Sequence, residues 1–122
     1  MCGDSTGAAL AAAVAQTFAA EKGPRLALQF LLCPILEHLP EIPSPLAAQP
    51  LEGLAAACIH TAESDPLRGQ GAAYAARLER AGVRVIHRCH AGLTYLFDGM
   101  KAVIPCAASA FRLMGGDIRD FL

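Results

Sequence analysis

The residues with the most evident chemical use form the pentapeptide Gly3-Asp4-Ser5-Thr6-Gly7, which runs directly into an alanine-rich stretch with helical spacing. This fits G-x-S-x-G, the pattern of a nucleophile elbow, in which a serine sits on a sharp strand-to-helix turn with its hydroxyl turned outward. Such a turn predicts small residues two before and two after the serine, because both come close to the backbone. The helix that follows points free N–H groups and its positive dipole end at a developing oxyanion, so the N–H of Thr6 is a candidate oxyanion donor. The same pentapeptide also reads as a glycine-rich helix start with Ser5 as an ordinary N-cap. Asp65 is the second candidate, since it follows an apolar, strand-like run, and open α/β sheets build their sites beyond the carboxyl ends of their strands. Its plainer reading is an Asp-Pro helix start.

Four histidines supply possible bases or ligands: His38, His60, His87 and His90. His38 falls in a proline-rich loop, and His60 and His87 fall inside predicted strands, as packed or edge residues. The run His87-Arg88-Cys89-His90 is not read as a metal centre: on a strand His87 and Cys89 share one face while His90 takes the other, and no second cluster completes four ligands. There is no G-x-G-x-x-G and no P-loop, so no cofactor is expected.

The elements that must hold these residues alternate. Leu10, Val14 and Phe18 recur at helical spacing among alanines over residues 8–20, which predicts a first helix. Residues 26–33 and 54–61 are short apolar runs read as strands. Between them, residues 34–53 carry five prolines, too many for regular structure. Residues 71–81 predict a helix stopped by Gly82, and residues 83–89 alternate as a strand. A last helix starts near Pro105, with Ala108, Phe111, Ile118 and Leu122 expected inward and Gly115-Gly116 weakening its middle by roughly 1 kcal/mol per glycine. Strand and helix in this order imply an α/β fold with right-handed crossovers and three or four parallel strands covered on both faces.

Composition narrows the function classes. The chain has 122 residues, 54% hydrophobic and 17% charged, with a formal net charge of −1. That is the size of one domain, over residues 1–122, with a modest core. The apolar share is high for so small a body and points, with the open sheet edges, to a homo-oligomer. Scattered positive charge argues against nucleic acid as a partner, and no apolar stretch is long enough for a membrane span. No signal-peptide pattern is present, and the five unpaired-looking cysteines (Cys2, Cys33, Cys58, Cys89, Cys106) read as reduced, mostly buried thiols of a cytoplasmic protein.

Gly3-Asp4-Ser5-Thr6-Gly7, then Leu31-Leu32-Cys33-Pro34, Ser44-Pro45-Leu46 and the stretch TAESDPLRGQGAAYAARLERAGV together strongly resemble the hormone-sensitive-lipase-like family of bacterial esterases, within the α/β hydrolases. The resemblance runs over almost the whole chain and is most specific in TAESDPLRG. It implies a minimal α/β-hydrolase core, with Ser5 as nucleophile and Asp65 as the acid of the triad. Three departures accompany it. The N-terminal half of the family's fold, with its H-G-G-G oxyanion loop, is absent, and the lid region is short. Where the family carries its histidine, in a segment like G-M-x-H-G-F, this chain reads Gly92-Leu93-Thr94-Tyr95-Leu96-Phe97. His90, five residues earlier, is the candidate replacement base, with a histidine from a second subunit as its rival. The expected activity is hydrolysis of a small, short-chain carboxylic ester through acyl-Ser5, at reduced efficiency. The alternatives are a catalytically silent remnant serving as an assembly or binding module, and one piece of a larger hydrolase.

Overall fold

The computed structural model describes residues 1–37 and 39–122; His38 lies outside the described residues. In chain order the elements are β1 (Cys2–Asp4), α1 (Ser5–Ala20), β2 (Leu28–Leu32), β3 (Ala56–Ser64), α2 (Arg68–Arg80), β4 (Val85–Thr94), a single 3-10 turn (Phe97–Met100) and α3 (Pro105–Phe121). The four strands make one all-parallel sheet in the order β1-β2-β3-β4. This is the α/β architecture the alternation of patterns predicts, with the upper of the two expected strand numbers. Among the described residues, the proline-rich stretch 33–55 carries no helix and only an isolated bridge, Leu39 to Ile42.

Residues on the two sides of each strand feed two separate cores. Leu31, Ala57 and Ile59 point to one face, where they meet Ala8, Ala11 and Ala12 of α1 and Tyr74, Ala75 and Leu78 of α2. Leu36, Leu51 and Leu54 of the irregular crossover pack into the same core, so that loop covers the ground a helix normally covers between parallel strands. Leu32 and Ala62 point the other way, to Ala107, Ala110 and Met114 of α3 and to Phe97.

Two helices turn to the sheet a face other than the one their largest apolar side chains mark. In α1 the buried residues are Ala8, Ala9, Ala11, Ala12 and Ala15, while Leu10 is 53% exposed and Val14 and Phe18 are half-buried. Alanines carry no bulk beyond Cβ, so the helix settles closer to the sheet on that side than a Leu-Val-Phe stripe permits. In α3 the inward residues are Ala107, Ala110, Met114 and Asp117; Ala108, Phe111 and Ile118 flank that stripe, and Leu122 is 79% exposed. Asp117 sets this phase by drawing its face toward Arg88 of β4, with both carboxylate oxygens bonded to the guanidinium. The Gly115-Gly116 pair does not interrupt the helix.

The strands β3 and β4 also run further than their apolar stretches. Each continues past the last residue of the predicted strand, through a register shift between Ala62 and Ser64 to a pair Ser64–Thr94. Side chains replace the missing apolar signal: Glu63 accepts the Gly92 N–H at 2.7 Å, and the Thr94 hydroxyl donates to the Ser64 carbonyl at 3.4 Å. That extension sets the height at which Tyr95 leaves the sheet. All five cysteines are free, but only Cys33 and Cys58 are buried, which corrects the expectation of mostly buried thiols. No helix is long and apolar enough to cross a membrane among the described residues.

Candidate active site

The carboxyl ends of the four strands deliver Ser5, Cys33, Asp65 and Tyr95 to one rim of the sheet. Ser5 stands at the junction of β1 and α1 with φ of 51°, in the left-handed region that a β-carbon makes costly. It is the first helical residue, and the N-cap is Asp4 in extended conformation without a side-chain capping bond. The simpler reading of Ser5 as an N-cap therefore does not describe this turn. Its hydroxyl is hydrogen-bonded instead to the Tyr95 hydroxyl. The Ile35 N–H donates to the Ser5 carbonyl at 3.3 Å and ties the elbow to the loop after β2.

The two glycines around the serine are not equivalent. A β-carbon on Gly3 would lie 2.2 Å from the carbonyl oxygen of Gly7, an impossible approach to rigid backbone. A β-carbon on Gly7 would meet only the Asp4 Oδ1 at 3.6 Å, an ordinary contact. Space thus forces the first glycine and not the second. Thr6, in the first turn of α1, is exposed and borders a cavity of about 270 Å³ with Leu39, Pro40, Glu41 and Ile42. Its N–H belongs to the first four of the helix, which have no partner one turn back.

Tyr95 follows β4 directly and packs, half-buried, against the core of Leu32, Cys33, Ala62, Leu93 and Phe97. The neighbouring Leu96 takes φ of 54°, which turns the chain back into the 3-10 turn. Asp65 follows β3 and is buried. Its Oδ1 accepts the Leu67 N–H at 2.8 Å and its carbonyl accepts the Arg68 N–H at 3.1 Å, so the carboxylate is fixed by the turn into α2. Among the described residues no hydrogen bond joins Asp65 to Ser5, Tyr95 or His90. Burial pushes the Cys33 thiol up to about 11, with Asp65 and Asp98 adding to the shift, so Cys33 stays protonated beneath the rim.

His90 lies deeper, opposite Ala62 on β4, and the structure does not bring it to Ser5. Its Nε2 is 2.9 Å from Nδ1 of His60, with the two rings stacked at 5.2 Å. Burial holds His90 below the ordinary imidazole range, with Arg88 adding to the effect. Burial, reinforced by His90, lowers His60 to about 4, so both rings are neutral at neutral pH. His87 faces the opposite side of the sheet, near the Thr61 hydroxyl at 3.3 Å, and burial lowers it too.

Beside the histidine pair lies a group that motif reading did not find. Cys58 Sγ is 3.2 Å from His60 Nε2, and Asp117 Oδ2 is 3.7 Å from the same nitrogen. Arg88 binds Asp117 through Nε at 2.5 Å and Nη2 at 2.6 Å, which holds that carboxyl below its usual range. Burial pushes the Cys58 thiol up to about 12, and Asp117 adds to it. The signal in the sequence was the i, i+2 spacing of Cys58 and His60, which puts both on one strand face.

The chain matches solved structures over nearly its whole length. It is 26% identical to ESTFA in its iron-lacking apo form, with a TM-score of 0.90, covering 99% of this chain and 51% of that one. EstE1, a thermostable carboxylesterase cloned from a metagenomic library, is 25% identical with a TM-score of 0.88, covering 99% and 54%. A bacterial heroin esterase is 25% identical with a TM-score of 0.87, covering 99% and 50%. The chain thus spans about half the length of these proteins. A comparison with curated proteins found no match. The family model described as "alpha/beta hydrolase fold" matches residues 1–43 and 40–98. With the parallel sheet, the serine on its strained elbow and this match over most of its length, the chain belongs to the α/β-hydrolase fold family.

Proposed function

We propose that the protein hydrolyses short-chain carboxylic esters through an acyl-Ser5 intermediate. The observation that carries this reading is Ser5 itself: a non-glycine residue at φ of 51°, held at a strand-to-helix junction over a glycine that admits no side chain. Strain of this kind persists where the surroundings over-determine it, and it turns the hydroxyl away from the helix. The esterases among the structural neighbours support the substrate class, and the cavity of about 270 Å³ beside Thr6 offers room for a short acyl chain.

In the proposed reaction Ser5 Oγ attacks the acyl carbon, and the carbonyl electrons move onto oxygen, facing the N–H of Thr6. As Oγ bonds to carbon, Tyr95, hydrogen-bonded to Ser5, takes the serine proton and passes its own to the ester oxygen, which leaves as the alcohol when the tetrahedral intermediate collapses. Water then hydrolyses the acyl-serine by the same route in reverse. Asp65 closes the rim with negative charge. His90 is the rival acceptor, and to serve it must leave His60. Self-association through the free edges of β1 and β4 is part of this reading, since each edge strand has a single neighbour in the sheet.

A specific observation favours a second reading, a silent scaffold: the group touching Ser5 is a phenol and not an imidazole. The two are separated by p-nitrophenyl butyrate turnover of the wild type beside Ser5→Ala, with fluorophosphonate labelling read by mass. Turnover that Ser5→Ala abolishes, with one label on Ser5, is the expected result; equal background rates and no label establish the scaffold. Tyr95→Phe and His90→Gln then identify the proton route, and the proposed one requires the first to lower kcat and the second to leave it unchanged.

A further inference from the structure

We propose that Cys58, His60 and Asp117 form a buried site for one divalent transition-metal ion of the zinc class, joining β3 to α3. The three side chains contribute a sulfur, an imidazole nitrogen and a carboxylate oxygen, and those donor atoms all lie within 4.8 Å of one another. All three residues are buried. Zinc binds such donors at about 2.0–2.3 Å in tetrahedral array, which places neighbouring donors about 3.3–3.6 Å apart. The distances of 3.2 Å from Cys58 Sγ to His60 Nε2 and 3.7 Å from that nitrogen to Asp117 Oδ2 bracket this value. Those two edges need adjustments of a few tenths of an ångström, and the third, between Cys58 and Asp117, closes from within 4.8 Å to seat the ion.

The surroundings are arranged as a ligand shell is. His60 Nδ1 lies 2.9 Å from His90 Nε2. With the proton on Nδ1, donated to His90, the free lone pair sits on Nε2 and faces Cys58 and Asp117. A second partner that fixes the tautomer of a ligating histidine in this way is the usual companion of a metal site. His60 is further held between the Phe30 and His90 rings at 5.4 and 5.2 Å.

A divalent ion, one thiolate and one carboxylate sum to zero, the thiol proton leaving as the ion arrives, and the remaining positive charge is that of Arg88 on the solvent side. Without the ion Asp117 relies on Arg88, whose side chain is 43% exposed. On binding, Arg88 Nε lets go of Oδ2, which turns to the ion, while Nη2 keeps Oδ1. The fourth position falls to water. This site is separate from Ser5 and does not depend on ester hydrolysis. It staples the carboxyl-terminal helix to the middle of the sheet.

The test uses the full chain with exposed Cys2, Cys89 and Cys106 replaced by serine, stripped with chelator and titrated with Co²⁺. The expected result is one Co²⁺ per chain, a thiolate-to-cobalt charge-transfer band in the near ultraviolet and intense visible bands of tetrahedral cobalt. Zn²⁺ then displaces the cobalt and raises Tm by roughly 5–10 °C at saturation. Cys58→Ser, folded by circular dichroism, loses the charge-transfer band, and Asp117→Asn weakens binding at least tenfold. A titration that yields only the pale spectrum of hydrated cobalt overturns the proposal without reference to any variant. So does a thiolate band that survives Cys58→Ser, which assigns the metal to Cys33. In either case the cluster is a hydrogen-bond network only, with the thiol donating to His60 and Arg88 neutralising Asp117.

Discussion

Gly3 and Gly7 flank Ser5 symmetrically in sequence and carry unequal constraints in space. Gly3→Ala drives a β-carbon into the Gly7 carbonyl, so the elbow must open; the expected cost is about 3 kcal/mol or more, read as a fall in the urea midpoint. Gly7→Ala meets no backbone and gains helix propensity, so its stability should match or exceed the wild type by up to about 1 kcal/mol. Equal losses at both positions would mean that the turn is not built as described. Tyr95 offers the complementary gain. Tyr95→His puts an imidazole where the phenol now touches Ser5, and p-nitrophenyl butyrate turnover is expected to rise by about 10²-fold, the scale of general-base assistance. Ser5, Thr6 and Asp65 stand out in the sequence, because the elbow and TAESDPLRG are local patterns, whereas Tyr95 reads there only as the residue in the family's histidine position. The set Cys58, His60, Arg88 and Asp117 was not, since it joins three elements and its members are far apart in the chain.

At the scale of elements, the strands and helices were legible in kind and the helix faces were not. Hydrophobic spacing favours the bulkiest residues, and Leu10, Val14 and Phe18 outweigh alanines in any such reading. The sheet selects by fit instead, and the alanine face of α1 lies nearest to it. Leu10→Glu should therefore change stability by no more than about 0.5 kcal/mol, whereas Ala12→Leu should cost about 1–3 kcal/mol by overpacking. Thermal melts of the two variants check both. A large loss for Leu10→Glu with a tolerated Ala12→Leu would restore the bulky face as the inner one. The same contest decides α3, where a buried Asp117 bound to Arg88 overrides the apolar stripe. The ends of β3 and β4 were illegible for another reason. Beyond Thr61 and Cys89 their pairing rests on Glu63, Thr94 and a register shift, none of which produces alternation.

For the molecule as a whole, alternation of patterns was sufficient to predict a parallel sheet, because only a crossover fold accommodates it. The high apolar share divides between two cores, one on each side of that sheet, with α1 and α2 on one face and α3 on the other. Large side chains that remain exposed, such as Val103, Leu113 and Leu122, lie toward and within the last helix, while Leu10 lies on the first. The strand order repeats the chain order, β1-β2-β3-β4, with no strand inserted between earlier neighbours. A sheet of this kind can be laid down as it is synthesised: each strand that emerges from the ribosome docks on the one just before it, and no partner has to be awaited from downstream. Growth then proceeds in one direction only, away from β1, whose edge no later segment of these residues comes back to close.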